Sequence, residues 1–179
     1  MENDNMAFKM GMTKEDLSGP APVPPGVYEL QLTGFRPKIA KSGESLNYNA
    51  EFTVTNHAQY DGRKVFHPLN TSFGVAIRDF VHATGIDMET VTVPTSADTD
   101  QHSEMVMPGT FENADTSPDD PSKWGKYIGP LTNKVFKAEL AITNYQGKDK
   151  NEVRVFFCAL SDCATLYPDM KHSTNLIKG

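Results

Sequence analysis

The sequence predicts a mainly β fold of five strands, with a single helix between the third and the fourth. Three observations carry this expectation. The 13 Gly and 12 Pro residues fall in short clusters that punctuate the chain. Between those clusters, apolar and polar residues alternate with the period of two that a strand with one buried face requires. One stretch alone keeps the 3.6-residue period of an amphipathic helix. At 179 residues the chain is long enough for one domain with its own core and short for two.

Residues 1–25 read as a flexible or extended arm, because Gly19, Pro20, Pro22, Pro24 and Pro25 break any period there. VYELQLTGF (27–35) is the first strand, with Tyr28, Leu30 and Leu32 on one face and Glu29, Gln31 and Thr33 on the other. A turn at Ser42 and Gly43 leads to LNYNAEFTVT (46–55). There Leu46, Tyr48, Ala50, Phe52 and Val54 alternate strictly with polar residues, so one face is core and the other is wet. Tyr60, Asp61 and Gly62 form the next turn, and RKVFHPLN (63–70) is a third strand that Pro68 confines to an end or an edge. In TSFGVAIRDFVHATG (71–85), Phe73, Ile77, Phe80, Val81 and Thr84 make one helical stripe. Ser72 can cap its start and Gly85 can end it, while Arg78, Asp79 and His82 point away. From Asp87 to Pro130 the period is lost, and a long loop is expected with room for brief strands near 91–93 and 104–107. KVFKAELAIT (134–143), the turn NYQGKDKN (144–151) and EVRVFFCAL (152–160) form a terminal hairpin, and 161–179 is a C-terminal tail.

The order β-β-β-α-β-β is the layout of an oligonucleotide-binding (OB) barrel, and closure would remove the edges that five strands otherwise expose. An open sandwich of the same strands is the alternative. The domain is thus expected over 26–160, interrupted by the insert at 87–130. The net charge of −6 argues against a nucleic-acid partner until its distribution is considered. Residues 87–122 hold nine acids and neither Lys nor Arg; with 14 acids and 17 bases elsewhere, the rest of the chain stands at +3.

The segments GVYELQLTGF, KSGESLNYNAEFTVTN, YDGRKVFHPLN and VFKAELAITNYQGKDKNEV together resemble a phage family of small single-stranded-DNA-binding proteins. The shared features are a Pro-Gly entry to the first strand, a Gly-Arg-Lys turn before the third, and a Tyr-x-Gly-Lys-x-x-Asn-x-Val hairpin. Tyr145, Gly147, Lys148, Asn151 and Val153 match the last of these. The likeness covers 26–85 and 131–157. It implies an OB-like barrel that binds single-stranded DNA without chemistry during phage replication or recombination, in the cytoplasm of the infected bacterium. Replication or recombination proteins and a second copy of the chain are further candidate partners. Two features depart from the family pattern. The acidic insert is larger than the family core requires, and the chain ends KHSTNLIKG, with two Lys and no acid, where such binders often carry an acidic recruiting tip.

Sequence-tolerant binding of a single strand needs cations along a groove and flat side chains on which bases stack. In an OB barrel the contacts come from the middle strands and from the loops joining strands 1 to 2 and 4 to 5. Those loops hold Arg36, Lys38 and Lys41, and Tyr145, Lys148 and Lys150. Arg63 and Lys64 lie at the turn into the third strand, and Arg154 projects from the last. Trp124 and Tyr127, in KWGKY with Lys126, are the further candidate platforms, with barrel-end packing as the alternative for Trp124. Phe35 is a platform or, as a strand residue, core.

Other chemistry finds no motif. The five histidines are scattered without metal-site spacing, and no Gly-rich phosphate loop, GxSxG or HExxH occurs, so no enzyme, metal or cofactor is expected. No apolar run approaches the roughly 18 to 20 residues of a membrane helix, and MENDNMAFKMGM has neither the basic start nor the apolar stretch of a signal peptide. Cys158 and Cys163 are expected as thiols, Cys158 in a packing role. The competing functional readings are a phage protein-interaction or accessory β-domain, and an inhibitor of a host nuclease or defence protein that presents the acidic insert.

Overall fold

A computed structural model describes residues 20–94, 101–113, 120–159, 165 and 168–171. Its centre is a five-stranded antiparallel sheet. Strands β1 (Gly26–Ile39), β2 (Leu46–Thr55) and β3 (Lys64–Asn70) form the expected meander, and β8 (Val135–Tyr145) and β9 (Lys148–Phe156) the terminal hairpin. Their order across the sheet is β3-β2-β1-β8-β9. Helix α1 (Gly74–Ala83) follows β3. The predicted hairpin turn tightens to Gln146 and Gly147, whose φ values of 53° and 77° place both central residues in the left-handed region. That is the two-residue connection whose twist matches the flanking strands.

The two outer strands of this sheet approach each other. The Val153 amide donates to His67 Nδ1 at 3.3 Å, and the His67 and Phe156 rings lie 5.8 Å apart. A backbone ladder between β3 and β9 is absent among the described residues, so the sheet curls without closing into a hydrogen-bonded barrel. Phe52, Phe80, Phe136 and Phe156 meet at its centre, each ring within 6.1 Å of another, alongside Leu30, Leu32, Val54 and Leu140.

One irregularity decides which side chains of β1 face outward. Pairing with β2 shifts register between Leu32 and Gly34, leaving Thr33 as the extra residue of a β-bulge. Before it, the even residues Tyr28, Leu30 and Leu32 are buried; after it, the odd residues Phe35 and Pro37 are. Without the bulge, Arg36 and Lys38 would point into the core.

Several expectations are corrected. The helix starts at Gly74 with Phe73 at its N-cap position and no side-chain cap from Ser72, and Phe73 is 69% exposed rather than part of the buried stripe. His82 does not point away but is 2% exposed, covered by the C-terminal segment whose Ala159 amide donates to the His82 carbonyl at 3.1 Å. The region 87–130 is not one long loop; the brief strands expected near 91–93 and 104–107 form, and further elements form beside them. It holds a separate hairpin of β4 (Glu89–Pro94) and β5 (Gln101–Val106), a second pair of β6 (Thr110–Phe111) and β7 (Tyr127–Ile128), and a 3-10 turn at Pro121–Lys123. Its second half belongs to the core: Phe111, Tyr127 and Leu131 are buried, and Phe35, Tyr48 and Phe111 stack nearly parallel, with Phe35 and Tyr48 4.9 Å apart at 7°.

The arm and tail are also more integrated than the sequence suggests. Val23 is buried, and its N–H and carbonyl bond the Asn151 side-chain amide at 2.8 and 2.7 Å. Residues 1–19 of the expected arm lie outside the described residues. Met170 is buried, Cys158 N–H donates to the Lys171 carbonyl at 2.8 Å, and Asp169 pairs with Arg78 at 2.9 Å. Cys158 is disulfide-bonded rather than a thiol.

Candidate nucleic-acid interface

Residues opposite each other in antiparallel strands share a face. The solvent face of β1, β2 and β3 can therefore be read row by row. Arg36 stands opposite Asn49, which stands opposite Pro68; Lys38 opposite Asn47, then Asn70; Gly34 opposite Glu51, then Phe66. At about 4.8 Å per strand, each row spans about 10 Å. Phe66 is 63% exposed at the far end of its row.

Two grooves flank this face, and Asn49 lines both. The first, about 560 Å³, runs along β1 beneath the end of the insert, where Arg36, Lys38 and Lys126 supply positive charge and Glu112 the one acid. The second, about 730 Å³, lies over the seam between β3 and the start of β9, and Arg63, Lys64 and Lys150 line it together with Phe66, Pro68 and His67. Asp149 is its acid. Pro20 and Pro22 form one wall, held there because Arg63 donates to the Ala21 carbonyl and Asn151 grips Val23. Asn49 is common to both linings, so Lys38 and Lys150, far apart in sequence, border two neighbouring grooves.

The charges in them are not equivalent. Lys64 Nζ sits 2.7 Å from Glu51 and also contacts the Thr33 and Thr53 hydroxyls, so much of its charge is already answered. The same contact, followed by the Thr33 hydrogen bond and the Lys64 and Arg36 charges, holds the Glu51 carboxyl below its ordinary range against the opposing effect of burial. Burial, and then the positive charge of Lys150, pushes His67 down to about 4. His67 is therefore neutral at pH 7, which suits its role as acceptor from Val153.

No known family model matches the chain, and no curated protein matches it.

Of the residues singled out from sequence, Arg36, Lys38 and Lys126 line the first groove and Arg63, Lys64 and Lys150 the second. Others do not. Tyr127 is corrected: it is 3% exposed, its hydroxyl donates to the Pro108 carbonyl, and a side chain at Gly109 or Gly129 would overlap its ring, so no base can reach it. Burial pushes its hydroxyl pKa up. Phe35 is core. Trp124 is half-buried against Phe111, with ring centres 5.4 Å apart, which is the packing alternative. Arg154 pairs with Glu139 at 3.7 Å away from both grooves, and Lys41 and Lys148 line neither. Tyr145 is exposed at the hairpin tip, where Lys150 Nζ lies 4.7 Å from its ring centre. The sequence reading missed Phe66 and Asn49. The alternation of KVFHPLN, with Val65 and Leu69 buried, was the available signal that Phe66 faces solvent.

Proposed function

We propose that this protein is a non-catalytic binder of single-stranded DNA built on an OB-like barrel. The strand order and the approach of β3 to β9 support the barrel, because these are the two strands an OB fold brings together. One observation carries the function: two neighbouring grooves that share Asn49 are bordered by Arg36, Lys38 and Lys126 in the first and by Arg63 and Lys150 in the second, with Phe66 exposed in the wall of the second. Cations at that spacing replace counterions along a phosphate chain, and an exposed ring on a strand stacks a base without regard to its identity. A duplex gains nothing from Phe66, since its bases are already stacked. A role in phage replication or recombination, in the cytoplasm of an infected bacterium, rests on the sequence resemblance.

The test is an electrophoretic shift and a salt titration with oligo-dT. Engagement of about four phosphates gives a slope of log affinity on log salt of roughly −3. Phe66→Ala is expected to cost about 1–3 kcal/mol of affinity at every salt concentration, leaving the slope unchanged. Arg36→Ala with Lys126→Ala lowers the slope instead. Absence of binding at low salt overturns the proposal.

A further inference from the structure

The β4–β5 hairpin is a two-stranded sheet of its own, with no third strand beside it among the described residues. An isolated hairpin is at best marginal in water. Most of it is open to solvent: Glu89, Thr90, Val91 and Thr92 on β4 and Ser103, Glu104, Met105 and Val106 on β5 are exposed, and Val93 is half-buried. Register puts Glu89 opposite Val106 and Val91 opposite Glu104, with Val93 next along β4, so one face carries an apolar strip of Val91, Val93 and Val106 with the Glu89 carboxylate at its edge. The strip needs an apolar surface edged by cations, and the same chain displays one. The second groove offers Phe66, Pro68, Pro20 and Pro22 bordered by Arg63 and Lys150. The contrast in charge is large, since residues 87–122 carry nine acids and no base while the remainder is net positive.

We infer that the β4–β5 hairpin of one copy docks in the Phe66 groove of a second copy, giving a head-to-tail contact. Such a contact pairs two different surfaces, so a pair of copies keeps one free hairpin and one free groove and association continues into chains. It occupies the groove assigned above to DNA, so oligo-dT dissolves it. The self-association does not depend on that assignment.

Sedimentation velocity over a concentration series tests this, at 0.1 M and at 1 M salt, where the screening length falls from about 10 Å to about 3 Å. The full chain is expected to associate at low salt and to dissociate at high salt. Glu89→Lys combined with Val91→Lys lies on an exposed hairpin and leaves the sheet intact, checked by circular dichroism. It weakens association by about tenfold or more, and Phe66→Ala does the same from the other side. Association that neither variant alters overturns the inference, as does a chain that stays monomeric throughout. If a monomeric chain binds oligo-dT more tightly once Glu89 and Val91 are replaced, the hairpin occupies its own groove and the second copy is excluded. Association that persists unchanged in saturating oligo-dT, yet is lost in both variants, keeps the contact and removes DNA from that groove.

Discussion

His67 gives the seam between β3 and β9 a pH dependence that can be worked out. The folded chain keeps this ring neutral down to about 4, against 6.5 ordinarily, first through burial and then through the Lys150 charge. The unfolded chain takes up a proton near 6.5, so between those values acidification favours the unfolded state. Stability from this group is fully present above the unfolded value and is lost as pH falls toward the folded one. The whole interval corresponds to about 3 kcal/mol, of which roughly 2 kcal/mol is spent between pH 7 and pH 5. Urea unfolding at pH 7, 6 and 5 measures it, with His67→Asn as reference. Asparagine offers an acceptor to the Val153 amide and does not titrate, while carboxylates such as Glu51 contribute alike to both chains and cancel in the difference. The wild type should lose roughly 2 kcal/mol more than the variant over this range. Parallel losses would refute the reasoning.

Two further outcomes follow from the same geometry. Deleting Thr33 removes the bulge and forces a choice between burying Arg36 and Lys38 or expelling Phe35, at about 3–5 kcal/mol by analogy with loss of a buried Phe. Thr33→Ala, which loses only hydroxyl contacts to Glu51, Thr53 and Lys64, should cost about 1 kcal/mol; equal effects in urea unfolding would count against the bulge as the determinant. Asn151→Ala removes both bonds to Val23, and hydrogen exchange at the Val23 amide should accelerate by the factor that about 1–3 kcal/mol implies. No change there would mean that packing alone holds the segment.

The strands were legible because a half-buried strand writes its period directly into the sequence: 46–55 and 134–143 alternate, and both form. The bulge left a faint trace, a Gly inside a strand pattern followed by an apolar residue of the wrong parity. The insert misled because its acidic, Pro-containing composition describes its solvent surface. Phe111, Tyr127 and Leu131 enter the core through contacts with β1 and β2, residues far away in the chain. Tyr127 was misjudged for the same reason: lysines beside it in sequence do not reveal what its ring meets in space.

What the sequence by itself determined was the five strands of the main sheet, the helix between them, and the face each side chain takes along an unbroken strand, since these follow from neighbouring residues. Only the tertiary structure decided that Lys38 and Lys150 border neighbouring grooves while Lys41, Lys148 and Arg154 line neither. It also decided that Glu51 answers Lys64 and that Val23 and Met170 are buried. Those outcomes depend on register and on the curl that brings β3 to β9, both set by contacts between distant segments that no local pattern records.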